Sequence, residues 1–230
     1  MWRRFLPLDY HRRQLLRGAP AGPLHDYLAT AFPARSADYR DIEFIALDLE
    51  TTGLDAREDE ILSIGMVSMK AGRIELAGAE YYLVAPRGPI PESTAALHRI
   101  TDDTAATGTS LPEVLPKVLS RLAGRVLLGH HVGLEKAFLD AACKRTYGTG
   151  FLAPMADTEV LIQRWLERRN EAFGGHQLRL HALRERYGLP RYQAHNALTD
   201  ALATAELFCA FVARANLVGQ VPLKRFLTSQ

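Results

Sequence analysis

At 230 residues, 47% hydrophobic and 23% charged, the chain has room for one sizeable domain, and its composition excludes disordered and fibrous classes. The net charge of +2 is too small to mark a nucleic-acid binder by itself. Two cysteines, Cys143 and Cys209, lack the paired spacing of a zinc site or disulfide framework, and no apolar run reaches the roughly 18 residues of a membrane span or forms a signal-peptide core.

A cytoplasmic protein is therefore expected. Charge is unevenly distributed: residues 1–40 carry +4, from seven arginines against Asp9, Asp26 and Asp38, and the remainder carries −2. Such an arm suits a polyanion or a solvated helix face. Within it, 8–17 and 24–32 have helical character, broken by Pro20-Ala-Gly-Pro23 and by Pro33. They read as two short helices that pack on, or extend from, the main domain. Residues 1–40 are thus expected to be a basic helical extension, 41–215 the main domain and 216–230 a tail.

From Ile42 the pattern changes. Ile42 to Leu47 is an apolar run ending in charge, as in a central strand. Thr52-Gly53-Leu54-Asp55 is a turn, and Glu60 to Met69 alternates as a second strand. Ala71-Gly72 turns into a third strand, near 73–84. A loop with Pro86, Pro89 and Pro91 precedes helices near 93–97 and 111–123. Val126 to Gly129 is a short strand without polar alternation, which implies helices on both faces. Helices are predicted at 134–146, 158–169, 177–187 and 196–215. Three consecutive strands followed by strand–helix alternation indicate an α/β fold whose mixed sheet has an antiparallel hairpin edge.

Three groups of residues can carry chemistry. Asp48 and Glu50 end the first strand two positions apart, so both side chains share a face while Leu49 points into the core. Carboxylates about 6–7 Å apart repel unless a cation lies between them, and Mg²⁺ or Mn²⁺ prefers such oxygen ligands. His195 and Asp200 flank a helix start for which Asn196 is a suitable N-cap. This spacing brings a loop imidazole and a helical carboxylate to one place from different directions. Glu135 opens a helix directly after the buried Val126–Gly129 strand, at the carboxyl end of the sheet where open α/β folds place ligands. Each group alone also fits a plain structural role: a solvated strand end, an exposed loop histidine, or acids favoured by a helix dipole.

Their order is more telling. Asp48-Leu-Glu50-Thr-Thr-Gly-Leu54, the run Asp59 to Ser68 with Ile64-Gly65, Leu97-His-Arg-Ile-Thr-Asp102, Gly129-His130 to Leu139, Asp157-Thr158, and His195 to Asp200 in H-x₄-D form follow one another. In this order the chain resembles, over about 42–212, the DEDDh exonucleases, also termed DnaQ-like or proofreading ε-subunit-like enzymes. The resemblance implies a ribonuclease H-like, mixed five-stranded sheet flanked by helices. It implies a metal-dependent 3′→5′ exonuclease in which Asp48, Glu50, Asp200 and Glu135 hold two divalent cations, Mg²⁺ or Mn²⁺, and His195 is the general base. Thr51, Thr52, Leu54 and His130 would contact the terminal nucleotide.

One position departs from the family pattern, with Glu135 standing where an aspartate is usual. Asp140 lies some 140° around the helix and is a poor substitute. Thr51 sets the chain apart from the oligoribonuclease branch, which has methionine there, and nearer the ε-like branch. Single-stranded DNA 3′ ends are the expected partner, with RNA as a second candidate. Lys144, Arg145, Arg164, Arg168 and Arg169 are candidate phosphate contacts or a solvated helix face. Two competing expectations remain: a nucleic-acid-binding module on the same fold with catalysis lost through Glu135, and a hydrolase of small phosphodiesters.

Overall fold

A computed structural model describes residues 8–228. Helices α1 (Leu8–Gly18) and α2 (Pro23–Ala29) lead into strands β1 (Glu43–Thr51), β2 (Ile61–Lys70) and β3 (Arg73–Ala85). Next come α3 (Glu92–His98), α4 (Asp102–Ala105), β4 (Thr109–Ser110), α5 (Leu111–Leu122), β5 (Val126–Gly129) and α6 (Gly133–Tyr147). The chain continues through β6 (Met155–Asp157), α7 (Thr158–Arg168), α8 (Leu180–Arg186) and α9 (Ala197–Arg214).

The strands form one mixed sheet in the order β4-β3-β2-β1-β5-β6. β1, β2 and β3 are antiparallel, whereas β5 runs parallel to β1, and β6 to β5. Among the described residues the sheet thus has six strands rather than the expected five. Two are too short to imprint a period on the sequence: β4, of two residues, parallel to the end of β3, and β6, of three. The second predicted helix stops at Ala29, where the Thr30 backbone turns extended ahead of Pro33. The predicted 177–187 helix is instead a 3₁₀ turn over Gly175–Leu178 followed by α8.

Period-two alternation sorts the central strands between two layers. Ile45, Leu47 and Leu49 of β1 and Leu127 of β5 join a core with α5 and α6. Phe44 and Ala46 of β1 and Val126 and Leu128 of β5 face the other way, into a core with α7 and α9. The Phe44 ring meets Phe208 of α9 at 5.2 Å between centroids. Asp48 and Glu50 continue the Phe44–Ala46 row, so they emerge on the α9 side just beyond its apolar filling.

The two N-terminal helices pack on the domain. Leu24, Tyr27 and Leu28 of α2 are buried in the α5/α6 core. Tyr27 stacks on Phe151 at 5.4 Å, and its hydroxyl donates to the Leu152 carbonyl at 2.7 Å. Arg12 of α1 is buried, with its Nε on Asp9 at 2.7 Å and its Nη1 on the Leu28 carbonyl. Much of the positive charge of this segment is thereby engaged: Arg13 also pairs with Asp9, and Arg40 with Asp38. Arg3 and Arg4 lie outside the described residues. At the other end, Val221, Leu223, Phe226 and Leu227 are buried in the α7/α9 core, and Asp38 bridges to Pro222. No helix among the described residues is long and apolar enough to cross a membrane.

Because Tyr27 fills the core rather than lying on it, Tyr27→Ala is expected to cost about 3–5 kcal/mol and Tyr27→Phe about 1 kcal/mol, the latter for the hydroxyl alone. The shift in urea midpoint measures both.

Candidate active site

Asp48 and Glu50 pair across the sheet with Gly65 and Ser63 of β2, and the register slips between Glu50 and Thr51. This irregularity ends regular pairing at the point where the acids emerge, as bulges beside active sites do. Gly65 faces the same side as Asp48. A Cβ there would lie 2.2 Å from the Ala197 carbonyl group and 2.3 Å from the Leu198 nitrogen. The start of α9 therefore rests directly on the backbone of β2, which only glycine permits.

Asn196 fixes that start as expected, its side chain accepting from the Thr199 N–H at 3.0 Å. One turn later Asp200 points back at β1. Oxygens of Asp48, Glu50 and Asp200 all lie within 4.8 Å of one another. His195 lies outside the helix, exposed and at φ 67°, with its backbone N–H donating to Asp200 at 2.8 Å.

Glu135 is not among the three acids whose oxygens cluster. It is buried in the first turn of α6, and its charge acts on Asp48. Asp157 sets that turn by accepting from the backbone N–H groups of His131 at 3.2 Å and Val132 at 2.9 Å while capping α7 through Glu159. The Asp157-Thr158 pair is thus a brace between β6, the β5–α6 loop and α7.

Four acids in a half-dry cleft repel. Burial, then the charges of Glu135, Glu50 and Asp200, push the Asp48 carboxyl well above the usual carboxylate range. Burial raises Glu135 from 4.5 to about 8, with Asp157 adding to the rise. Asp200 is also raised, first by burial and then by Glu50, although the His195 N–H partly offsets this. One oxygen each of Glu50 and Glu135 is buried without a hydrogen-bond partner. An all-oxygen donor set with unsatisfied, mutually repelling carboxylates fits a hard divalent cation.

His98, at the end of α3, escaped the sequence reading as a site residue. Its Nδ1 contacts the Glu50 carboxylate, and its ring meets His195 edge-on at 5.7 Å. The only sequence signal was its place in the Leu97–Asp102 run, since a seven-residue helix gives no periodicity that aims it.

The remaining expected contacts divide. Leu54 is 82% exposed and open to a ligand. The Thr51 hydroxyl donates to the Gly53 carbonyl at 2.6 Å, and the Thr52 hydroxyl accepts from the Glu60 N–H at 2.9 Å, so both are engaged in the turn. His130 lines the cleft, but its Nδ1 meets the Thr158 hydroxyl at 2.7 Å and its Nε2 the Leu178 carbonyl at 3.0 Å. Burial lowers this imidazole to about 4, so it is neutral and braces the wall. Of the basic candidates, Lys144 pairs with Asp140, Arg145 donates to the Ala56 carbonyl and Arg169 pairs with Glu171. The cleft, about 620 Å³, is instead bordered by Arg179, His181 and Arg191 beside His195, Asp48 and Asp200.

The profile of the exonuclease family, of ribonuclease T type, matches residues 45–208, which include all of these acids. The chain belongs to the DnaQ-like, or DEDDh, exonuclease family. It is 30% identical over 177 residues to the DNA polymerase III subunit epsilon of Treponema pallidum, covering 77% of this chain and 80% of that one. It is 32% identical over 182 residues to the PolC-type DNA polymerase III of Thermotoga maritima, covering 79% of this chain but only 13% of that much longer protein. Among solved structures, the nuclease domain of 3′hExo bound to rAMP matches with TM-score 0.65 at 17% identity, over 80% of this chain and all of that one. Exonuclease X in complex with 5′ overhanging duplex DNA matches with TM-score 0.58 at 22% identity, over 77% and 94%. These similarities establish the ribonuclease H-like fold. The chain carries an exonuclease-family domain over residues 45–208.

Two outcomes test this geometry. Gly65→Ala is expected to displace the start of α9, costing about 1–3 kcal/mol in urea denaturation and lowering divalent-cation affinity. Second, the folded protein retains protons on Glu135, Asp48 and Asp200 that the unfolded chain releases. Their stabilisation is full below the unfolded carboxylate range and is lost as pH rises, for Glu135 from about 4.5 to about 8. The melting temperature of the metal-free protein should fall across that window, with Mn²⁺ restoring it and Glu135→Gln shrinking the fall.

Proposed function

We propose that the chain is a 3′→5′ exonuclease that releases nucleoside monophosphates from single-stranded DNA ends. The observation that carries this reading is the convergence of Asp48, Glu50 and Asp200, with ligand oxygens within 4.8 Å, beside an exposed imidazole, His195. Asp48, Glu50 and Asp200 would hold two divalent cations, Mg²⁺ or Mn²⁺, with Glu135 completing the set from α6. When bound, these ions supply Lewis-acid charge to the phosphodiester and acidify water.

His195 takes the proton of the attacking water as general base. Its exposed loop position lets the proton pass to solvent. The hydrogen bond from its backbone to Asp200 keeps base and ligand in register. Leu54, exposed at the edge of the turn, packs against the terminal base, and the Thr51–Thr52 turn lies beside the 3′-OH. Arg179 and His181 border the path of the strand. The preference for DNA rests on kinship with DNA polymerase III proteins and on the likeness to an exonuclease solved with DNA.

Matched DNA and RNA oligonucleotides, single- and double-stranded and labelled at the 5′ end, should shorten stepwise only when Mg²⁺ or Mn²⁺ is present, fastest for single-stranded DNA. Asp48→Ala, Asp200→Ala and His195→Ala should each lose at least about 100-fold in turnover with the fold retained. Glu135→Asp should keep or raise activity. Binding without hydrolysis under both ions would favour a binding module weakened at Glu135, and turnover of a chromogenic phosphodiester alone a small-molecule hydrolase.

A further inference from the structure

The residues 188–196 that present His195 form neither helix nor strand, and Pro190 to Asn196 are exposed. Apolar packing therefore does little to fix the imidazole. A polar anchor lies beneath. Arg184 of α8 is only 3% exposed. Its Nη1 donates to the Ala203 carbonyl of α9 at 2.7 Å, and its Nη2 donates to the Pro190 carbonyl at 2.9 Å. The same guanidinium pairs with Glu206 of α9 at 2.8 Å and lies over the Tyr192 ring at 4.4 Å. The Tyr192 hydroxyl closes the circuit by donating to the other Glu206 oxygen at 2.9 Å. With the His195 N–H on Asp200, the segment is held at 190, 192 and 195.

Stability alone does not account for this arrangement. A buried ion pair contributes little net stability compared with well-packed apolar residues of similar volume, because two charges must be desolvated. What a planar guanidinium with fixed donors provides is geometry: it ties two carbonyls, one carboxylate and one ring to each other. The ties to Pro190 and Tyr192 bear directly on the strip of chain that ends in His195, and the tie to Glu206 bears on it through the Tyr192 hydroxyl. Arg184, Tyr192 and His195 also border the same cleft as Asp48 and Asp200.

We propose that Arg184, Glu206 and Tyr192 are positioning residues that hold the His195 imidazole at the scissile end of the cleft. This rests on the reading of His195 as general base. Misplacing a reacting group by about 1 Å costs on the order of 100-fold in rate, so loosening the anchor should appear in turnover before it appears in folding.

The test measures single-turnover hydrolysis of a single-stranded DNA oligonucleotide under Mn²⁺ by wild type, Tyr192→Phe, Glu206→Gln and Arg184→Met, each also combined with His195→Gln. Tyr192→Phe and Glu206→Gln remove one hydroxyl or one charge and keep the side-chain volume, so they remain informative if Arg184→Met does not fold. The expected result is a loss of roughly tenfold for Glu206→Gln and a smaller loss for Tyr192→Phe, with oligonucleotide and Mn²⁺ affinities held. In the His195→Gln background the same changes should cause no further loss, because nothing remains to be positioned. Equal losses in both backgrounds, or rates within about twofold of wild type for Glu206→Gln and Tyr192→Phe, would overturn the proposal while leaving the general base in place. If His195→Gln itself keeps the wild-type rate, the general-base reading fails, and the positioning role with it.

Discussion

The structure is organised around an electrostatic conflict. Carboxylates from β1 and α9 are brought together, with Glu135 of α6 acting on Asp48; burial raises the Asp48, Glu135 and Asp200 carboxyls, and repulsion from neighbouring acids adds to each rise. In isolation such a cluster would disperse. It persists because each acid stands on an element whose position is set by apolar packing: β1 between two cores, α6 against one of them and α9 against the other. The free energy of burial thus holds together acids that would otherwise move apart.

The devices that hold the acids in place are backbone features and neutral braces. Gly65 lets α9 touch β2, Asn196 starts α9 at the required residue, and Asp157 ties the turn before Glu135 to the cap of α7. His130, neutral and bonded at both ring nitrogens, joins Thr158 to Leu178. His98 contacts Glu50 and faces His195, linking α3 to the acids. His195, the proposed general base, sits on an exposed loop with a buried polar anchor. The clustered acids thus stand on the core, and the imidazole beside them on the surface.

The longer glutamate at 135 acquires a physical meaning in this setting. Its carboxylate comes from the first turn of a helix whose start is pinned by Asp157, and it is buried with one oxygen unpartnered. The longer side chain is accommodated inside the protein, and its carboxyl acts electrostatically on Asp48.

Much of the fold and the site was legible in the chain itself. Alternation along β1 determined that Asp48 and Glu50 share a face, and the Asn196 cap determined that Asp200 lies one turn inside a helix. These are local consequences of backbone geometry, with periods of two and 3.6 residues. Only the tertiary structure decided the rest. The two- and three-residue strands β4 and β6 are too short to carry a period, and their neighbours define them. That Gly65 is a contact point for α9, that His98 meets Glu50, that Thr51 and Thr52 spend their hydroxyls within the turn, and that Arg184 grips the His195 segment all depend on long-range approach. Residue type and spacing state what a side chain can do; which atom it meets is settled by packing between elements far apart in the chain.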